Sequence, residues 1–262
     1  MPNFGRVIEV MTSNMSFSND KFTIEGTIPF DNDLLPNESE IKLWNLSMDT
    51  INKIKKQATL MVNAGYRGDV GLVLHGFISK VRTKPEGVNR VTTIYVMDSV
   101  DLSKAKIKDI TYAKGTAASY IIKDMAKRLG LPIAQFELNK DVRYVDGFTA
   151  QGEGVDIIQS VAKDCGTSAF INKGRLYVRS LRRGADGLFR LSPETGLIGS
   201  PEYFEDDTTK GFSITSQLQH RITTASAIQL KCSQFDGIVH VRSGAHHLSI
   251  TGDFTTEVEA IL

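Results

Sequence analysis

His240, His246 and His247 lie close together, and imidazole is the commonest protein metal ligand. A zinc centre needs three or four converging ligands, and neither Cys165 nor Cys232 stands at a zinc spacing from them. His246 and His247 follow Gly244, which predicts a strand turn carrying a solvated pair. A second group, Glu202 with Glu205, Asp206 and Asp207, could set two carboxylates across a glycosidic bond. It sits among the turn-formers Ser200, Pro201, Thr208 and Thr209, so solvated loop charge is the expectation. Gly152-Glu153-Gly154 precedes a helix but lacks the third glycine of a dinucleotide loop, and there is no Gly-x-Ser-x-Gly elbow.

The basic and adhesion-like motifs have equally plain readings. Arg67-Gly68-Asp69 falls between two predicted strands, where Gly and Asp are good turn residues. Lys53, Lys55 and Lys56 form the solvent side of a short helix. Arg175, Arg179, Arg182 and Arg183 could touch phosphates, but no aromatic platform is interleaved with them, so a salt-bridged strand edge is expected. No residue is assigned to catalysis, to a metal or to a cofactor.

The elements that hold these residues belong to an ordinary globular chain. Its 262 residues are 41% hydrophobic and 23% charged, which argues against disorder. A formal net charge of +1 gives no bulk attraction to nucleic acid or to an acidic membrane. The first residues lack the basic and apolar regions of a signal peptide, and no run approaches ~18 apolar residues. The expectation is a soluble protein made in a cytoplasm, with Cys165 and Cys232 as buried free thiols.

Periodicity divides the chain into three parts and predicts an α+β, mainly β, fold. In residues 1–112, Ile24, Ile28 and Phe30 share one parity, and Ala58, Leu60, Val62, Ala64 and Tyr66 share another. Leu72–Ile78 and Val91–Val100 add strands around the predicted loop Thr83–Asn89. One helix over Met48–Lys56, capped by Ser47 or Thr50, interrupts them. Residues 113–188 carry the same helix twice, Ile121–Leu129 after a Thr116 cap and Ile157–Cys165. Each ends at a glycine, Gly130 or Gly166. A hairpin over Ala169–Val178 turns at Asn172-Lys173-Gly174. Residues 189–262 add strands at Gly211–Thr215, Ala227–Cys232, Gly237–Ser243 and His247–Phe254, with no clear helix. The prediction is two small barrels or sandwiches with a helix–hairpin insert between them.

Order and spacing then carry a resemblance. Asn45-Leu46-Ser47 feeds a short helix, Ala64-Gly65-Tyr66 ends a strand, and Gly76 lies near the centre of an apolar strand. Far along the chain, Ile198–Ile222 is followed by Ala227–Cys232, Gly237–Val241 and Gly252–Ala260, which opens with Gly252-Asp253-Phe254. This pattern resembles the baseplate hub proteins of tailed bacteriophages, and it covers nearly the whole chain.

The resemblance implies two tail-tube-like domains and a homotrimer that presents six tube-like units in a ring. The implied partners are the tail tube or distal tail protein, the tip or spike protein and the tape-measure protein. DNA would be only cargo in the lumen, and neither a membrane nor a cofactor is involved. Location would be the virion baseplate of a phage or tailocin, after assembly in the host cytoplasm. The chain has no room for the lysozyme or peptidase module of larger hubs. Two other functions fit parts of the sequence: a tail-tip cell-wall hydrolase using Glu202–Asp207, and a single-stranded nucleic-acid binder built from two barrels. Few prolines block the predicted strand edges, only Pro29 and Pro201 lying near strand ends, which suits ring assembly.

Overall fold

The computed structural model describes residues 4–99, 102, 106–182, 188–205 and 209–262. In the first part, β1 (Arg6–Thr12), β2 (Ser16–Ser18), β3 (Ile24–Phe30) and β4 (Glu38–Trp44) precede α1 (Met48–Lys53). Strands β5 (Thr59–Tyr66), β6 (Asp69–Glu86) and β7 (Asn89–Met97) come after it. The middle part holds β8 (Lys106–Tyr112), β9 (Thr116–Ala117), α2 (Ala118–Leu129), β10 (Ile133–Phe136) and β11 (Arg143–Tyr144). It continues with β12 (Phe148–Glu153), α3 (Gly154–Asp164), β13 (Ser168–Asn172) and β14 (Arg175–Arg179). The last part has β15 (Phe189–Leu191), a 3-10 turn at Pro193–Thr195, β16 (Leu197–Glu205) and β17 (Lys210–Gln217). Strands β18 (Ala227–Lys231), β19 (Asp236–Ser249) and β20 (Thr255–Ile261) complete it.

The fold is mainly β, and the first and last parts share one sheet. Its strands run β16-β17-β20-β19-β3-β4-β7-β6-β5-β1-β2, with β18 and β15 attached beside β19. The seam is the antiparallel pair β19–β3, from Gly244 opposite Phe30 to Ser249 opposite Glu25. No closed barrel forms among the described residues. The two β-rich regions are hydrogen-bonded edge to edge.

Strand β6 turns this sheet into a layered unit. Its first half pairs with β5 and its second half with β7, with a register shift between Ile78 and Lys80. A shift of this kind bends a strand and re-aims its second half. Ile8, Val10, Leu60, Val62 and Leu74 thereby share a core with Ile28, Ile41, Leu43, Ile94 and Val96. At the crossing a Cβ on Gly76 would stand 2.0 Å from the Met97 carbonyl oxygen, so only glycine fits.

The repeated helix sequence produces one helix pair with a common core. Ile121, Ile122, Met125 and Ala126 of α2 pack with Ile157, Ile158, Val161 and Ala162 of α3 and with Ile171, Leu176 and Val178 of the hairpin. A single apolar stripe makes a helix this short dependent on such packing. Gly130 and Gly166 take the left-handed conformation, with φ of 68° and 63°. Thr116 does not cap α2. Ala117 stands at that position, and Asp141 instead accepts from Ser119 N at 2.9 Å and from its hydroxyl at 2.7 Å. The hairpin turns on Lys173 (φ 50°) and Gly174 (φ 74°), as a two-residue turn of right-handed strands requires.

Several strand assignments differ from expectation. Gly237–Ser243 and His247–Phe254 are not two strands with a turn at Gly244. Residues Asp236–Ser249 form one strand that runs on through Gly244, paired with β20 and β3 on its two sides, with a register shift against β20 between Val241 and Ser243. The loop expected at Thr83–Asn89 is mostly hairpin, since Thr83 to Glu86 still pair with Thr92 to Asn89. The loop expected around Glu202 and Glu205 is strand β16, paired with β17.

A candidate assembly surface

In an antiparallel sheet, residues directly opposite one another share a face, and faces alternate along each strand. The registers therefore trace rows across the seam. One row is Lys80, Tyr95, Glu40, Thr27, His247 and Thr255, and another is Arg82, Thr93, Lys42 and Glu25. On the far side of the seam, Glu202, Ser213, Glu259 and Ser243 form a third. All lie on one face. The opposite face carries Ile41, Ile94, Ile28 and Leu248 in one core and Val241, Val258, Ala260 and Phe212 in another. The result is one polar face spread over eight antiparallel strands drawn from both ends of the chain. A depression of 290 Å³ lies over its seam, lined by residues including Thr27, Glu40, Lys42, His247 and Asp253.

The tip of the β13–β14 hairpin fixes the seam from behind. Lys173 Nζ donates to Leu72 O at 2.6 Å, and Gly174 N donates to Asp98 O at 2.8 Å. Asn172 Nδ2 donates to Thr223 Oγ1 at 2.7 Å, so one turn touches both β-rich regions. Burial pulls the Lys173 ammonium down to about 8 and pushes the Asp98 carboxyl up to about 7. Lys173 is half-buried at the turn, with its ammonium turned inward onto Leu72 O.

The family-motif positions explain themselves in this frame. Asn45, at φ 56°, accepts from Arg90 N at 2.9 Å and so ties the start of the α1 segment to β7. Leu46 is buried, and Ser47 caps α1 by accepting from Thr50 N. Ala64 is buried, and a Cβ on Gly65 would collide with the Asp69 backbone. Tyr66 packs on Phe254, and Arg6 Nη1 donates to Gly252 O at 2.7 Å. Gly76 is the point where β6 presses on the end of β7.

Among the described residues, the candidates for chemistry lie on separate faces and elements. His246 is not solvated: it is 1% exposed, its Nδ1 lies 2.9 Å from Thr256 Oγ1, and burial followed by the nearby Lys173 charge draws it down to about 3. His247 is on the opposite, polar face, 3.5 Å from Glu257. Among the described residues no group of His, Cys, Asp and Glu is placed to hold a metal. Glu205 accepts from Tyr203 and pairs with Lys210 at 2.7 Å, while Asp206 and Asp207 lie outside the described residues.

Arg179 does not lie on a sheet edge, since β14 is the middle strand between β10 and β13. It is buried, with Nη1 on Gln135 Oε1 at 2.6 Å and Nη2 on Ala225 O at 2.9 Å. Arg175 and Arg182 are exposed, and Arg183 lies outside the described residues. Asp69 of the adhesion-like tripeptide forms a two-pronged pair with Arg221. Lys53, Lys55 and Lys56 are exposed, but α1 ends at Lys53, so Lys55 and Lys56 lie beyond the helix expected to reach Lys56. Cys165 is buried and Cys232, just past β18, is half-buried; both are free thiols. A Cβ on Gly154 would press on Leu129, so Gly154 serves the contact between the helices. Among the described residues no helix is long and apolar enough to cross a membrane.

Comparison with known proteins places this architecture. The fold is similar to that of a tail protein from Neisseria meningitidis MC58, at a TM-score of 0.72 and 10% identity over 99% of this chain and 97% of that one. It is similar to the 43 kDa tail protein of prophage MuSo2 from Shewanella oneidensis, at 0.68 and 10% over 98% of each chain. It is also similar to the E. coli c3393 protein at 0.67 and 8%, over 96% of this chain and 76% of that one. That protein is described as a type VI secretion component resembling the T4 tail proteins gp27 and gp5. No curated protein matches the sequence. The profile of the family described as Baseplate hub gp41 matches residues 32–238, and the chain therefore belongs to that baseplate hub family.

Proposed function

We propose that the protein is a structural hub that forms a homotrimeric ring in a tail baseplate, joining the tail tube to the tip or spike. The observation that carries this reading is the single sheet that crosses both β-rich regions with rows of polar side chains on one face. Residues 1–112 and 189–262 act as two tube-like modules, so three copies fill six places. Residues 113–188 pack outside the ring and brace the joint through the Lys173 turn. The polar face lines the passage, mixing Lys42, Lys80 and Arg82 with Glu25, Glu40 and Glu257 so that DNA in transit is not held. Its partners are itself, the tail tube or distal tail protein, the tip or spike protein and the tape-measure protein. The role is architectural, without covalent chemistry, in a virion or tailocin assembled in the host cytoplasm.

Sedimentation of the full chain, alone and with tube and tip proteins, tests the stoichiometry. Three copies per particle are expected in at least one condition. A single copy in every condition overturns the ring.

A further inference from the structure

The helix–hairpin insert and the last β-rich part enclose a cavity of 160 Å³. Its walls include Phe170, Tyr177 and Arg179 of the β13–β14 hairpin and Arg221, Thr223 and Ser226 of the segment before β18. The volume is well below the ~300 Å³ at which pockets for drug-sized ligands begin. Among the described residues no carboxylate lines it. Arg179 is 5% exposed, and its donations from Nη1 to Gln135 Oε1 and from Nη2 to Ala225 O fix the guanidinium at the wall. Arg221 lines the cavity as an exposed residue held by Asp69.

His240 adjoins this cavity. Ala227, another wall residue, stands directly opposite it in the β18–β19 pair. On its other side His240 is opposite Ile261, which packs with Phe170, Leu181 and Ala225. His240 is half-buried, and its Nδ1 is buried with no hydrogen-bond partner among the described residues. Buried polar atoms of this kind are rare in native folds and point to an ion or a water. Burial, then the charges of Arg182 and Arg179, hold the imidazole below its ordinary pKa. Positive charge thus crowds an imidazole nitrogen that can donate a hydrogen bond. A cation would be repelled there, and a negative group would be attracted by all three side chains.

We propose that this junction is a binding site for one small tetrahedral oxyanion of the phosphate or sulfate class. Arg179 holds it from the cavity wall, and Arg182 and His240 Nδ1 complete its shell by charge-assisted hydrogen bonds. The anion ties β14 of the insert to the β18–β19 pair and so clamps residues 113–188 onto the last β-rich part. The site is independent of the ring reading and holds whether or not copies associate.

The test is calorimetric titration of the full chain with sulfate and with inorganic phosphate at constant ionic strength. One ion per chain should bind. Arg182→Gln and His240→Ala should each weaken binding at least about tenfold, the usual loss for a hydrogen bond to a charged group. Arg175→Gln, an exposed change on the same strand away from the cavity, should alter it less than about twofold. In the wild type, the His240 ring nitrogen resonances should shift as sulfate saturates. Adenosine 5′-monophosphate identifies the source: binding no tighter than that of phosphate assigns the free ion, and tighter binding assigns a phosphate group carried by a larger molecule. Both results uphold the site. No saturable binding up to about 10 mM of either ion overturns it. Equal losses in Arg175→Gln and Arg182→Gln would mean diffuse charge attraction and overturn it as well. Saturation with unmoved His240 resonances also counts against it.

Discussion

Tyr66 and Phe254 meet edge to face, their ring centroids 5.3 Å apart and their planes at 86°. They come from opposite ends of the chain, one closing β5 and the other leading into β20. Arg6 stacks over Phe254 at 5.3 Å from its centroid and donates to Gly252 O and Ser249 O. Two separate motif segments thus become one contact that holds the first and last parts together.

Phe254 is 3% exposed within the first core. Phe254→Ala should cost about 3–5 kcal/mol, the usual range for deleting a buried aromatic side chain. Thermal or urea unfolding measures it, and a loss under about 1 kcal/mol would contradict the contact's role.

Gly76 and Gly87 should respond differently to alanine. At Gly76 the new Cβ would meet Met97 O at 2.0 Å and the backbone must move. At Gly87 nothing lies within 4 Å, and only φ of 58° opposes the change. Gly76→Ala should destabilise by about 1–3 kcal/mol or more, and Gly87→Ala by about 1 kcal/mol. Equal effects in unfolding experiments would refute the close crossing of β6 over β7.

Two buried groups behind the seam should shape stability against pH. Asp98 holds its proton up to about pH 7 when folded, against 3.8 as the ordinary value. Between those pH values the folded state binds more protons, so this group's contribution falls as pH rises. The drop is on the order of 4 kcal/mol at 1.36 kcal/mol per pKa unit. Asp98→Asn keeps an acceptor for Asn37 N and should remove that slope. Lys173 loses its proton near pH 8 when folded, against 10.5 ordinarily, so stability should rise across that window and Lys173→Met should flatten it. Denaturant midpoints from pH 4 to 10 measure both, and wild-type slopes in the variants would show that these groups do not titrate as buried.

The Asp69–Arg221 pair should contribute little. Its contacts are short, 2.8 and 2.5 Å, but the side chains are 41% and 58% exposed. Arg221→Ala should change stability by about 1 kcal/mol or less. Urea unfolding checks this, and a loss above about 2 kcal/mol would mean that the pair anchors the 218–226 segment on β6.

What the sequence disclosed was local. The Ser47 cap, the glycine stops at Gly130 and Gly166 and the Lys173-Gly174 turn depend on a few neighbouring residues, and all were legible. The helix repeat was legible as well, because an apolar stripe states its own period. His246 was misplaced because its burial comes from Thr256 and Phe30, which β20 and β3 bring from elsewhere. Gly244 resembled a turn because close approach by Phe30 and the Glu257 carbonyl calls for glycine as surely as a positive φ does. The polar face left a signal in the alternation of Glu25 and Thr27 with Ile24 and Ile28. Only the strand registers show that this alternation crosses from one end of the chain to the other.

Electron cryo-microscopy of the assembled protein tests the central claim most directly. The account predicts a closed ring of three chains with Thr27, Glu40, Lys42 and His247 facing the lumen and the α2–α3 pair outside. Discrete single chains, or a ring with the α2–α3 pair lining the lumen and that face turned outward, would contradict it.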